Sequence, residues 1–336
     1  MIQAGDRVLV TGANGFVGSH LVEELLARGY QVRCMVRRTS HLDYVRDLPV
    51  EWAYADVRDP EELLRACEGV DAVCHCAALT RAVDRDTFMR VNAEGTQALA
   101  RACLEAIPAL HRFLFVSSQA AAGPSAGPDD VLDESSAPRP VTWYGQSKLA
   151  AEQALAALSQ EAGGRLPLTI VRPTPVMGPR DRDFLAYFRL IRRGLNLQIG
   201  REQQRVRLIA VHDLVDLIVL ALEAERAAGQ LYFAGAFECT YEEIAQAIAA
   251  VLARRPRRVA IPMSLLAMMA PFSRLQGRLT GQPVLLNDQR LIDLRQRYWL
   301  CSAAKAQSEL GFVPRYDLER LVRETAHWYQ EQGWLS

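Results

Sequence analysis

The chain has 336 residues, half of them apolar (50%), and its 39 basic residues balance its 39 acidic residues. This length allows a large core in one big domain or two joined domains, and the zero net charge gives no field that would hold a polyanion. We therefore expect no nucleic-acid partner. The seven cysteines form no paired CxxC knuckle, so we expect reduced thiols and no metal. No apolar run reaches the roughly 20 residues that span a bilayer, and no signal peptide is recognisable, which predicts a cytoplasmic protein.

Between residues 7 and 172, short β-rich runs alternate with segments of helical period, a pattern typical of parallel strands joined by crossover helices. The predicted strands are Arg7–Val10, Gln31–Val36, Glu51–Ala55, Ala72–Cys76, Arg112–Ser117 and Leu168–Val171, and the predicted helices lie near Phe16–Arg28, Pro60–Cys67, Thr87–Leu104 and Tyr144–Glu161. This indicates an α/β fold, a Rossmann doubly wound parallel sheet with helices on both faces, over residues 1–172. Residues 173–336 are predicted to form a smaller substrate-binding lobe, with a strand and a helix near 205–235 returning to the first domain.

A glycine-rich turn follows the first strand. Gly12, Gly15 and Gly18 form the pattern T-G-x-x-G-x-x-G between a predicted strand and a predicted helix. Glycines at this spacing let backbone N–H groups approach a pyrophosphate at the positive end of the helix. The turn therefore predicts a dinucleotide site.

The end of the second strand bears on the choice of nicotinamide cofactor. An acidic residue there would bind the ribose hydroxyls of NAD, whereas arginine suits the 2′-phosphate of NADP. This chain has Arg37 and Arg38 there and no carboxylate. The interpretation is that NADP(H) is preferred and that NAD(H) is possible, the alternative being that these arginines are only solvated.

A tyrosine and a lysine share one face of a predicted helix. Tyr144 and Lys148 are four residues apart, so both side chains point the same way. A nearby ammonium with a positive nicotinamide ring beside it favours phenolate, so we expect the pKa of Tyr144 to be lowered toward neutrality, as a general acid/base requires. The alternative is a surface Tyr–Lys pair.

Two serines, Ser117 and Ser118, end the strand that starts at Arg112. Ligands of open α/β sheets bind at the carboxyl ends of strands, where a hydroxyl can donate to a carbonyl oxygen. Serines at strand ends also cap turns, and the strand alone does not choose between the two.

Together these residues resemble the extended short-chain dehydrogenase/reductase family, which includes nucleotide-sugar epimerases and dehydratases, dihydroflavonol reductases and 3β-hydroxysteroid dehydrogenases. The resemblance covers nearly the whole chain. The segments that carry it start at Thr11, Asp56, His75, Val91, Val116, Tyr144, Arg172 and Val211 and read TGANGFVG, DVRD, HCAA, VNAEGT, VSS, YGQSK, RPTPVMGP and VHDL.

The resemblance implies roles for individual residues. Tyr144 would be the acid/base and Lys148 would hold the nicotinamide ribose. Ser118 would orient the substrate oxygen, because it lies five residues before Gly123, although Ala122 replaces the family's tyrosine. Asn92 would support the lysine as a further catalytic residue, or else cap a turn. The implied cofactor contacts are Gly12, Asn14, Gly15, Phe16, Val17, Gly18, Arg37, Asp56, Val57, Cys76, Ala77, Ala78, Tyr144, Lys148 and Pro173, and the implied substrate contacts are Gln119 and Val176.

Two departures from the sugar-modifying branch bear on the substrate. Pro175 stands where that branch usually carries asparagine, and the acidic residue after the second strand is missing. Both changes resemble the reductase and hydroxysteroid-dehydrogenase branches. The resulting hypothesis is an NAD(P)-dependent oxidoreductase that interconverts a secondary alcohol and a ketone of a small, moderately apolar substrate. The alternatives are an epimerase or dehydratase that uses tightly bound NAD, and a non-catalytic cofactor-binding scaffold.

Two further segments have two interpretations each. The apolar run Val259–Phe272 follows the basic sequence Arg254–Arg258. A helix in the core or in a dimer interface is the favoured interpretation and membrane contact the alternative, since the run is too short to span a bilayer. The loop Pro124–Pro140 is predicted to be a solvated lid over the site. The family resemblance implies a homodimer.

Overall fold

The computed structural model describes residues 2–199, 204–268 and 288–335. The strands are β1 (Arg7–Thr11), β2 (Gln31–Val36), β3 (Glu51–Tyr54), β4 (Ala72–His75), β5 (Arg112–Val116), β6 (Leu168–Pro173), β7 (Val176–Met177), β8 (Leu195–Ile199), β9 (Arg205–Ala210), β10 (Gln230–Ala234), β11 (Phe237–Thr240), β12 (Arg257–Ile261) and β13 (Tyr298–Trp299). The main sheet has seven parallel strands in the order β10-β6-β5-β4-β1-β2-β3. The predicted Rossmann architecture is confirmed.

Helices cover both faces of this sheet. They are α1 (Phe16–Ala27), α2 (Pro60–Cys67), α3 (Arg85–Phe88), α4 (Gly95–Ala106), α5 (Gln119–Ala122), α6 (Trp143–Glu161), α7 (Leu185–Arg192), α8 (Val211–Glu223), α9 (Tyr241–Val251), α10 (Asp288–Arg295), α11 (Ala304–Leu310) and α12 (Leu318–Glu331). A π-helical segment, Met89–Glu94, joins α3 to α4, and a 3₁₀ turn, Glu225–Ala227, follows α8.

The core divides at the main sheet because successive strand residues point to opposite faces. Val8 and Val10 of β1 pack with buried residues of α1 and α8. Leu9, between them, packs with residues of α2, α4 and α6. Both faces are apolar, as a parallel sheet covered by helices requires.

The first predicted elements agree with the structure within a few residues, and α2 has its predicted bounds. Its start has a local cause, since the Asp59 carboxylate accepts hydrogen bonds from the backbone N–H groups of Glu61 and Glu62. The single predicted helix Thr87–Leu104 is wrong in detail, because a π-helical segment interrupts it at Met89–Glu94. Such insertions are frequent at functional sites.

The second lobe is built on small sheets. Strand β9 lies between β11 and β13 and also pairs with β7, while β8 pairs with β12. A separate apolar cluster joins α7, α9 and α12 to β9. Strand β10 pairs with β6, and α8 packs into the core of the main sheet, so the chain returns to the first domain after β9.

One segment differs from its favoured interpretation. Only residues 259–261 of the run Val259–Phe272 belong to strand β12, where Val259 is exposed instead of buried, whereas residues 263–268 are helical as expected. The residues 269–272 lie outside the described part of the chain.

Candidate active site

The main sheet brings the predicted site residues to one edge, because all seven of its strands run in the same direction and end there. The residues that follow β1 to β6 at this edge are Gly12, Asn14, Gly15, Phe16, Val17 and Gly18 after β1, Arg37 after β2, Asp56 and Val57 after β3, Cys76, Ala77 and Ala78 after β4, Ser118 and Gln119 after β5, and Pro173 and Val176 at and after the end of β6.

The glycine turn leaves no room for side chains. Gly12 has φ +66°, and a Cβ there would lie 2.8 Å from the backbone of Ala77. A Cβ at Gly18 would overlap the carbonyl oxygen of Gly12. Helix α1 starts after Gly15 without a side-chain cap. Its first N–H groups are therefore free to meet the pyrophosphate of a dinucleotide, and the turn fits such a cofactor.

The loop after β2 lies beside the glycine turn. The Asn14 amide donates to the carbonyl oxygen of His41 at 3.2 Å. Arg37 is exposed, and its charge lowers the pKa of Asp56, for which the hydrogen bond from Arg58 is the largest cause. Arg38 lies over the ring of Tyr54, 5.7 Å from its centroid. Arg37 and Asp56 therefore lie close to each other at this edge of the sheet.

Asp56 and Val57, after β3, are each held by a neighbouring residue. The Asp56 carboxylate accepts two hydrogen bonds from Arg58, at 2.8 and 2.7 Å. Val57 packs on helix α4, where a Cβ at Gly95 would come within 2.7 Å of its γ-carbon. The pair is held in place before any ligand binds.

Tyr144 lies in the first turn of α6, which begins where the Thr142 hydroxyl accepts a hydrogen bond from the N–H of Gly145 at 3.1 Å. Burial raises the pKa of Tyr144 to about 12, while a hydrogen bond with Ser118 lowers it and the charge of Asp183 raises it. The structure thus brings the predicted serine and tyrosine together. At neutral pH the phenol carries its proton.

Lys148 follows Tyr144 one helical turn later on α6 and is fully buried. Its ammonium donates to the carbonyl oxygen of Val116 at 2.8 Å and lies 4.6 Å from the centre of the Phe115 ring. Burial lowers the pKa of Lys148 to about 8, whereas Cys76 and Glu152 raise it. Lys148 is not among the causes that set the pKa of Tyr144 here, and its expected lowering of that pKa beside a nicotinamide ring stays a prediction. The ammonium is directed to the end of β5, and burial dominates the pKa of the phenol.

Asn92 lies in the π-helical segment and is buried. Its side-chain oxygen accepts from the N–H of Leu79, and its nitrogen donates to the Leu79 carbonyl oxygen and to the Ser147 hydroxyl. The side chain thus connects the loop after β4 to the residue before Lys148, and it positions helix α6.

A buried charged cluster lies under the strand ends. Glu152 accepts hydrogen bonds from the Ser117 hydroxyl at 2.5 Å and from two nitrogens of Arg172 at 2.9 and 2.5 Å. Both charged side chains are about 5% exposed or less. Sequence reasoning did not assign Glu152 a role, although it lies four residues after Lys148 and therefore on the same helix face.

Gln119 presents an unsatisfied amide. Its side chain is 2% exposed, and neither its oxygen nor its nitrogen has a hydrogen-bond partner. A buried amide without a partner is costly, and such groups in proteins commonly meet a ligand or a water. Gln119 directly follows Ser118, so this amide belongs to the same strand end as the serine–tyrosine pair.

His75 joins three elements beneath the glycine turn. Its Nδ1 lies 2.6 Å from the Thr11 hydroxyl and its Nε2 lies 2.8 Å from the Thr96 hydroxyl. Burial lowers the pKa of His75 to about 3, so the ring is neutral.

Within residues 2–199, 204–268 and 288–335, no group of three or more His, Cys, Asp or Glu could hold a metal ion, and no helix is long and apolar enough to cross a membrane.

Known proteins are similar to this chain over almost its whole length. The ceramide reductase of Caulobacter vibrioides is 30% identical over 98% of this chain and 96% of its own, and the sterol demethylase protein B of Methylococcus capsulatus is 30% identical over 97% and 99%. The structure superposes with a TM-score of 0.79 on DesIV, a dTDP-glucose 4,6-dehydratase of Streptomyces venezuelae solved with NAD bound, at 25% identity over 98% of both chains. Residues 8–235 match the NAD dependent epimerase/dehydratase family. The chain belongs to this family, the extended short-chain dehydrogenases/reductases.

Proposed function

We propose that this protein is an NADP(H)-preferring oxidoreductase that interconverts a ketone and a secondary alcohol on a moderately apolar small molecule. The observation that carries the proposal is the half-buried Tyr144 phenol, whose pKa a hydrogen bond with Ser118 lowers, at the sheet edge that also carries the glycine turn.

The two hydroxyl groups have complementary tasks. Ser118 donates a hydrogen bond to the substrate oxygen and so polarises the carbonyl. Tyr144 gives that oxygen a proton during ketone reduction and takes it back during alcohol oxidation. A nicotinamide cofactor, when bound, supplies the hydride for reduction and accepts it in oxidation. Burial raises the pKa of Tyr144 to about 12, so the phenol holds the proton that ketone reduction requires.

Lys148 and its neighbours prepare the cofactor site. The Lys148 ammonium lies beside the Val116 carbonyl oxygen and the Phe115 ring. From this buried position it can donate to ribose hydroxyls without entering solvent. Glycines 12, 15 and 18 and Ala77 would hold the pyrophosphate, with Asp56 and Val57 on the adenine side. Arg37, exposed after β2, suits a 2′-phosphate, which supports NADP(H) over NAD(H).

The substrate class rests on different evidence. The unpaired Gln119 amide can bind one polar group of the substrate beside the reacting oxygen. Pro175 stands where sugar-modifying relatives usually carry asparagine. The names of two 30% identical relatives refer to a ceramide and a sterol, both largely apolar molecules. Val176, at the start of β7, adds apolar surface after the end of β6.

The test starts with the purified full-length chain. Mass analysis of co-purified nucleotide comes first, then fluorescence titration with NADPH and with NADH. Turnover is then measured on a panel of apolar ketones and alcohols that includes ketone and alcohol forms of a sterol and of a ceramide. We expect free exchange of NADPH and turnover of an apolar member of the panel.

Tyr144→Phe is the decisive variant. Loss of the acid/base should lower turnover about a thousandfold, while the Kd for NADPH stays within about threefold. Tyr30→Phe is the matched control, because Tyr30 lies before β2, at the opposite edge of the sheet, and should keep full activity. Retained activity in Tyr144→Phe contradicts the proposal. Stoichiometric, non-exchanging NAD would instead indicate an epimerase or dehydratase, and NADPH binding without any turnover would indicate a scaffold.

A further inference from the structure

The two-stranded sheet of the second lobe has one face turned toward the protein and one turned away. Asn196 and Gln198 of β8 donate to the Glu242 carboxylate of α9, and Arg258 of β12 forms an ion pair with the same carboxylate. These residues define the inner face. Because side chains alternate along a strand, the residues between them lie on the other face.

That outer face is apolar. It consists of Leu195, Leu197 and Ile199 from β8 and of Val259 and Ile261 from β12, with Arg257 at its beginning, and the register pairs these residues side by side. Leu195 is 36% exposed and Val259 is 39% exposed. Val259 pairs with the partly exposed Leu197, the next outward-facing residue of β8 after Leu195, so apolar side chains adjoin across both strands.

The helical segment that directly follows β12 carries two more exposed apolar side chains. Leu265 is 43% exposed and Met268 is 64% exposed. The two residues are three apart, so in helical backbone they lie on the same side. We call Leu195, Val259, Leu265 and Met268 the apolar patch.

A group of arginines lies at the start of the same sheet. The backbone N–H of Arg257 donates to the carbonyl oxygen of Gly194, which places the beginnings of β8 and β12 together. Arg193, Arg254, Arg255 and Arg257 are all exposed, and in the described part of the chain none of their side chains has an ion-pair or hydrogen-bond partner. Arg258, in contrast, is neutralised by Glu242.

We propose that the apolar patch and these four arginines form a docking surface for an anionic lipid membrane. Apolar side chains at such a surface enter the boundary between head groups and acyl chains, while guanidiniums pair with lipid phosphates. The surface carries both elements side by side. The protein lies on the bilayer and does not span it.

The arginines favour a lipid surface over a second copy of this chain. A two-fold interface built on the patch would bring the four arginines of one subunit toward those of the other. Like charges without carboxylates between them disfavour such an interface. An anionic membrane instead supplies the opposite charge over the whole area. The inference goes beyond the proposed reaction and does not depend on it.

Vesicle co-sedimentation tests the surface directly. The full-length protein is mixed with vesicles of phosphatidylcholine and phosphatidylglycerol in equal parts, or of phosphatidylcholine alone, at low and at high salt. We expect binding to the anionic vesicles at low salt and release at high salt, because screening weakens the arginine contribution. Each arginine near an anionic surface contributes several-fold to binding, so Arg254→Gln/Arg255→Gln/Arg257→Gln should weaken it at least about tenfold.

Matched variants separate a specific surface from general charge. Arg165→Gln/Arg226→Gln/Arg323→Gln removes three exposed arginines elsewhere and should bind vesicles like the unchanged protein. Leu265→Ser/Met268→Ser should weaken binding without altering charge. Tyr144→Phe should bind normally, so a failure of the proposed reaction leaves this result intact. NADPH titration and a thermal melt of each variant report that the fold is kept.

Equal recovery in the supernatant with both vesicle types contradicts the proposal, as does equal loss in both arginine triples. Sedimentation velocity tests the alternative that a second copy of this chain covers the apolar patch. If Leu265→Ser/Met268→Ser converts a dimer to a monomer and leaves vesicle binding unchanged, the patch is a subunit interface and the membrane inference is wrong.

Discussion

Arg81 donates through Nη2 to the Asp183 carboxylate at 2.5 Å, and this ion pair joins the loop after β4 to the segment before α7. The charge of Asp183 also raises the pKa of Tyr144, after the larger effect of burial. The carboxylate is therefore close enough to influence the phenol, and Arg81 compensates part of its charge. Both side chains are more than half exposed, so solvent screens the interaction.

Asp183→Asn should shift the pH dependence of alcohol oxidation. Removal of a negative charge favours phenolate and lowers the pKa of Tyr144, and oxidation needs the phenolate. The rising limb of kcat/KM should therefore move to lower pH by about half a unit, a small shift because Asp183 is exposed. Asp47→Asn, an exposed carboxylate in another loop, is the control. Superimposable profiles for Asp183→Asn and the unchanged protein would show that Asp183 does not tune the phenol.

Removing one partner of the buried Glu152–Arg172 ion pair should lower the free energy of unfolding far more than replacing both partners. Glu152→Gln leaves Arg172 buried without its counter-charge, so the free energy of unfolding in urea should fall by about 3 kcal/mol. Glu161→Gln, on the exposed end of the same helix, should change it by less than about 0.5 kcal/mol. The double variant Glu152→Met/Arg172→Met should recover most of the loss. If Glu152→Gln is as stable as the unchanged protein, Glu152 does not compensate the buried charge of Arg172.

The lowered pKa of Lys148 predicts that the free energy of unfolding rises with pH. Its pKa is lowered from 10.5 to about 8, so between these values the unfolded chain binds a proton that the folded chain does not. Stability increases with pH wherever the unfolded state binds more protons. Below pH 8 the folded protein holds a buried charge at a cost of about 3 kcal/mol.

Lys148→Met should therefore raise the free energy of unfolding at pH 6.5 by about 2 kcal/mol, because the lost hydrogen bond to Val116 offsets about 1 kcal/mol. The gain should shrink as the pH rises above about 8. Lys305→Met is the control, since Lys305 is the chain's other lysine and bonds Gln230 and the Leu231 carbonyl oxygen. Chemical unfolding at several pH values measures the free energy of unfolding of both variants and of the unchanged protein. A constant difference across the pH range would contradict this interpretation.

We expect Arg37 to favour binding of NADPH over NADH. Arg37→Gln removes a charged donor for the 2′-phosphate, which should raise the KM for NADPH about tenfold to a hundredfold and leave the KM for NADH nearly unchanged. Arg46→Gln, in the same loop region but farther along the chain, should change neither value. Equal effects on both cofactors would assign Arg37 a structural role instead.

Local patterns in the sequence were sufficient for much of the first domain. The Gly12 turn follows from the need for positive φ and close backbone approach, and the Asp59 cap fixes the start of α2. The four-residue spacing of Tyr144 and Lys148 puts both on one helix face. These features depend on residues that are near one another in the chain, so the sequence alone determined them.

The tertiary structure decided how those residues are used. Lys148 bonds Val116, 32 residues earlier, and Arg81 meets Asp183, 102 residues later, so no local pattern reports either contact. From the π-helical segment, the side chain of Asn92 reaches back to Leu79 and across to Ser147. The exposed face of β8 and β12 likewise depends on pairing between strands about 60 residues apart. Hydrophobic pattern sets which elements form, whereas packing between distant elements sets the charge, burial and partners of the side chains they carry.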